Sequence, residues 1–121
     1  MRLNPDCLRG ILLTAEEVCT DDVAWSYSKD HCDSAYLSSF SHSEIIYHIR
    51  QSEAACLLKK VSYYEDGKCA IIYDLTPKGH EFLANIREDS LWQKVLKKAS
   101  SASLPILIDV AKEIAITHFL G

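Results

Sequence analysis

At 121 residues, with 48% hydrophobic and 25% charged side chains, the chain has the composition of one globular domain that can bury a core without metal or disulfide staples. Its formal charge of −4 and pI near 5.7 provide no overall attraction to nucleic acid, which argues against a nonspecific DNA binder. No signal peptide opens it and no apolar run approaches the roughly 18–20 residues that span a bilayer, so a soluble cytoplasmic protein with no membrane partner is expected.

Asn4-Pro5-Asp6 reads as a helix start, with Asn as N-cap, Pro where a missing amide costs nothing, and an acid at the positive end of the dipole. The apolar spacing of Leu8, Ile11, Leu12 and Ala15 predicts a first helix from about Pro5 to Cys19. Thr20 to Ser39 has little periodicity and reads mainly as connection, with Ala35–Leu37 as a short strand added to a later sheet.

The stretch Phe40–Leu58, FSHSEIIYHIRQSEAACLL, carries the fullest helix signature in the chain. Ser41 and Glu44 form an S-x-x-E capping box, and Phe40 and Ile45 stand at the positions of a hydrophobic staple. Ile45, Ile46, Ile49, Cys56 and Leu57 supply a packing face, and the remaining polar face is free to read something. Two strands follow, Lys59–Tyr64 and Cys69–Leu75, around the turn signal Asp66-Gly67. A capped helix followed by a hairpin is the core of a winged helix, although other small α+β folds share that order.

Thr76-Pro77 opens another helix, with Phe82, Leu83 and Ile86 apolar, and Gly79 in its first turn points to close packing. Asp89 or Ser90 caps a short helix bearing Leu91, Trp92, Val95 and Leu96. After a break at Ser100–Ser103, a last helix runs from about Leu104 to Leu120. Its broad apolar face either plugs the core or pairs two subunits, and Leu107, Val110, Ala111, Ile114 and Phe119 are the candidate homodimer contacts. The predicted architecture is a single α+β domain, residues 1–121 and mostly helical. A winged helix-turn-helix-like core with a β-hairpin wing occupies 1–75, and additional C-terminal helices occupy 76–121.

Several constellations bear on function. Asp30-His31-Cys32-Asp33 holds metal-ligand residue types but lacks the second cluster that a tetrahedral site needs, so a solvated loop is expected. The five cysteines, with no C-x-x-C pair, read as reduced thiols. Gly79-His80-Glu81 brings no nucleophile with it, and no phosphate-loop, zincin or hydrolase motif is present, so a non-enzymatic protein without cofactors is expected. On the Phe40–Leu58 helix, Ser43, Tyr47, His48, Arg50 and Gln51 are candidates for a DNA major groove, with Lys59, Lys60 and Lys68 on the wing holding phosphates. The competing reading is a protein–protein interaction module. Residues 1–44 carry three basic and eight acidic side chains against ten and nine in 45–121. An acidic surface of Asp6, Glu16, Glu17, Asp21, Asp22, Asp30 and Asp33 suits a basic partner.

The segment Leu75–Lys94, LTPKGHEFLANIREDSLWQK, resembles the L-T-x-x-G-H-x-F-L-x-x-I-R-x-x-x-x-W pattern of a phage and prophage family catalogued as domain of unknown function 2513. Tyr47-His48 matches its Y-H dipeptide, and the capped first helix with Ile11-Leu12-Leu13 resembles its opening, so the likeness covers nearly the whole chain. Cys56 departs from it, standing where the family's L-x-x-A-G-L-like run has the glycine of a left-handed C-cap. The resemblance implies a winged-helix-like fold in a phage- or prophage-encoded bacterial protein, for which a DNA-binding regulator is expected, with an interaction module acting on a host or phage protein as the alternative. It brings no established activity.

Overall fold

Caps set where the helices begin. In the computed structural model, which describes residues 1–32 and 34–120, helix α1 (Pro5–Val18) starts where the Asn4 side chain accepts the amides of Asp6 and Cys7. Helix α2 (His42–Ala54) starts in the full capping box, Ser41 and Glu44 each accepting the other's backbone amide. Phe40 and Ile45 both pack into the core, as a staple at this entry requires. Helix α3 (Pro77–Ile86) starts at Thr76, whose hydroxyl accepts the Gly79 amide. Helices α4 (Asp89–Ala99) and α5 (Leu104–Leu120) complete the chain.

Three antiparallel strands, β1 (Trp25–Tyr27), β2 (Val61–Tyr64) and β3 (Cys69–Ile72), form one sheet in the order β1-β3-β2. Tyr27 and Tyr63 both pair with Ala70, and Trp25 and Val61 both pair with Ile72. These residues share one face by the two-residue period, and all of them belong to the core or pack against it. The turn from β2 to β3 places Glu65, Asp66 and Gly67 at φ of 51°, 57° and 83°. The expected Asp66-Gly67 turn is there, with one more left-handed residue than the dipeptide suggests.

The expected strand at Ala35–Leu37 is not formed. Those residues lie in a turn that crosses α1 at Gly10, where a Cβ would stand 2.8 Å from the Tyr36 carbonyl oxygen. The third strand is Trp25–Tyr27 instead, in the segment read as connection. The last helix also differs from expectation. Leu104, Leu107, Ala111 and Ala115 are buried in the chain's own core, so Leu107 and Ala111 are not available to a second subunit. Val110 and Ile114 are half-buried, and Phe119 stays 70% exposed.

The motif of Leu75–Lys94 is mostly structural. Leu75, Phe82, Leu83, Ile86 and Trp92 are core residues. Gly79 is required because a Cβ there would collide with the Leu57 carbonyl oxygen, and Thr76 donates its hydroxyl to the Cys56 carbonyl at 2.5 Å. The first turn of α3 is thereby seated on the chain that leaves α2. Among the described residues no helix is long and apolar enough to cross a membrane.

Candidate functional site

The outward side of α2 carries Ser43, Tyr47, Arg50, Gln51 and Ala54, spaced so that they form a single stripe. Ser43, Arg50 and Ala54 are exposed, while Tyr47 and Gln51 are half-buried. On the opposite side Ile45, His48, Ile49 and Ser52 are buried. His48 therefore leaves the set of candidate DNA contacts. It is 0% exposed, its Nε2 accepts the Asn4 amide at 2.7 Å, and its Nδ1 lies 2.7 Å from the Glu44 carbonyl oxygen, which can only accept. The ring is thus the neutral tautomer with its proton on Nδ1, and it bolts the start of α1 to α2. The spacing Ile45, His48, Ile49, Ser52 is that of a packing face, and that signal was present in the sequence.

Arg50 reaches from α2 to the hairpin. Its guanidinium lies 4.1 Å from the centre of the Tyr63 ring on β2 and beside Gly67 in the turn. The Tyr63 hydroxyl donates to Glu53 Oε1 at 3.0 Å. Burial, and after it the bond to Glu53, push the Tyr63 phenol up to about 12, so it stays a donor at neutral pH. At the other end of the helix the Ser41 amide holds the Glu44 carboxyl below its ordinary range, keeping the capping box intact at neutral pH. Helix and hairpin are thus joined by one cation–π contact and one hydrogen bond.

The three hairpin lysines do not come together. Lys68 follows the turn and lines a hollow with Lys29, His31 and His42, and with the acids Asp30 and Glu65. Lys59 and Lys60 lie at the open end of the hairpin, about 13 Å further along at strand spacing. There they share a hollow with Asp21, Asp22 and Asp74, and the Lys60 ammonium sits 5.1 Å from the Tyr73 ring centre. Lys29, which sequence reasoning passed over, is brought to Lys68 by β1, the strand that periodicity did not reveal.

Two residues of the candidate acidic surface are engaged within the molecule. Asp6 accepts the Trp92 indole N–H at 2.8 Å, and Glu16 pairs with Arg87. Of the Asp30–Asp33 cluster, Asp33 lies outside the described residues. Among the described residues no three His, Cys, Asp or Glu side chains are grouped to hold a metal ion. His80 is exposed on α3, and none of the described residues forms a catalytic pair with it by hydrogen bonding.

An uncharacterized protein of Haemophilus influenzae is 29% identical over 118 residues, covering 97% of this chain and 94% of its own length. No solved structure matches. The family described as "Hypothetical protein (DUF2513)" matches residues 2–105, from the capped start of α1 to the first residues of α5, and the chain belongs to that family.

Proposed function

We propose that α1, β1, α2 and the β2–β3 hairpin form a winged helix, and that the outer stripe of α2 with the turn end of the hairpin binds DNA as a small regulator of phage or prophage type. The observation that carries this reading is the coupling of a polar helix face to a hairpin. Arg50 and Glu53 hold Tyr63, so that helix and hairpin present one surface. The sheet order, with the last strand in the middle, supports it, as does the stripe of Ser43, Tyr47, Arg50 and Gln51, whose side chains can contact base edges and phosphates. On this reading the phosphate contacts come from Lys68 and Lys29, not from Lys59 and Lys60, which face three aspartates.

The test is selection from random duplex DNA followed by a salt titration of the enriched site. Lys68→Ala should make the log–log slope shallower by about 0.9, the value for one phosphate contact. Lys60→Ala should leave it unchanged. A selection that enriches no sequence, or a slope indifferent to Lys68, overturns the reading.

A further inference from the structure

Away from the hairpin, α4 and α5 enclose an open cleft of about 740 Å³, within the size range of sites that hold small ligands or a few side chains. One wall is Lys94, Lys97 and Lys98 on α4, and the other includes Glu113, Ile114 and His118 on α5. Lysines three and four residues apart share a helix face and repel one another. Lys97 and Lys98 have a structural reason to be there, since they complement the negative end of the α4 dipole. Lys94, a turn earlier, has no such reason. The two ion pairs among the described residues are Arg9–Asp89 and Arg87–Glu16, so neither neutralises the lysine face, and Glu113 is the one acid lining the cleft.

The cleft is also apolar between its charges. Lysine stems present methylene groups while their ammonium groups reach water, and Ile114 adds a branched side chain. A polyphosphate backbone would find lysines here but would leave the apolar lining bare. An acidic chain with apolar side chains satisfies both halves.

We infer that the α4–α5 cleft docks an acidic peptide segment of a partner protein, with carboxylates over Lys94, Lys97 and Lys98 and an apolar side chain against Ile114. The site is separate from the α2 stripe, so its success or failure is independent of DNA binding. The probe is a fluorescein-labelled twelve-residue peptide of Glu, Asp, Leu and Phe, followed by anisotropy on the full chain. Controls replace its acids by Lys, or its Leu and Phe by Ser, and a single-stranded DNA of equal length serves as competitor.

The acidic–apolar peptide should bind saturably and more weakly at high salt, and both peptide controls should lose at least about tenfold in affinity. Lys94→Glu with Lys98→Glu should lose a similar factor, with circular dichroism unchanged because both side chains are exposed. Equal binding of the Ser-substituted peptide overturns the proposal, since charge alone would then explain it. Equal binding to the charge-reversed chain, or displacement by the DNA, overturns it too. Sedimentation gives the remaining arm: self-association abolished by the same two substitutions would make a second copy of the chain the occupant, which also overturns it.

Discussion

Cys56 carries the junction between α2 and everything after it, in a conformation that favours glycine. Its φ is 62°, its amide donates to the Glu53 carbonyl, and the Leu57 amide donates to the Ser52 carbonyl at 2.9 Å. Those two bonds are the Schellman closure of a helix, with the left-handed residue at the position after the cap. The left-handed region costs an L-residue about 1–2 kcal/mol, while glycine loses about 0.5–1 kcal/mol more than alanine in unfolded-chain entropy. Cys56→Gly should therefore raise stability by about 0.5–1 kcal/mol, read as a higher urea midpoint at unchanged slope; a lower midpoint would mean that the thiol makes a contact worth more than the backbone relief. The departure from glycine was legible in the sequence, but its resolution was not, because only the closed hydrogen bonds tell a strained left-handed cap from a helix that simply runs on. His48 was misread for a related reason. Its residue type suggested a surface, and its place between Ile45 and Ile49 pointed inward.

Among the elements, those with local signals were legible: α1, α2 and α3 begin at the residues their caps name, and the hairpin turns where Asp66-Gly67 indicates. Strand β1 was not, since three residues with alternating burial carry too short a period to stand out and are held by partners more than forty residues away. The broad apolar face of α5 was legible as a pattern, but whether its own core or another subunit covers it depends on the helices opposite. The angle between α2 and the hairpin is likewise non-local, and the contacts across it fall to Arg50, Glu53 and Tyr63. A partly exposed cation–π pair is worth about 0.5–1 kcal/mol. In a double-mutant cycle, Arg50→Ala and Tyr63→Leu should show a coupling of that size in denaturant unfolding. Additivity within about 0.3 kcal/mol would show that Arg50 does not brace the hairpin.

For the molecule as a whole, α1 holds the helical half to the sheet half, and polar side chains do part of that work. Arg9 donates from Nε to the Ile86 carbonyl at 3.0 Å and from Nη2 to the Arg87 carbonyl at 2.6 Å, satisfying oxygens that the end of α3 leaves unpaired. The same guanidinium lies 5.6 Å from the Trp92 ring centre and 2.9 Å from Asp89. Asp6 takes the Trp92 indole N–H and Glu16 takes Arg87, so the corner between α3 and α4 is clamped at three points along α1. Part of the acidic excess in the first third of the chain is thus spent inside the fold. The contacts of Arg9 differ in worth. The Asp89 side chain is 90% exposed against 15% for Arg9, and an ion pair with so exposed a partner contributes at most about 0.5 kcal/mol after solvent screening. The carbonyl bonds are charge-assisted and partly shielded, at about 1.5–3 kcal/mol each before the adjustments that follow any deletion. Arg9→Ala should therefore cost about 3 kcal/mol and Asp89→Ala no more than about 0.5 kcal/mol, measured as urea midpoints on the two single variants and their double. If Asp89→Ala costs as much as Arg9→Ala, the surface pair and not the capped end of α3 is what Arg9 contributes, and the clamp would have to rest on Asp6 and Glu16.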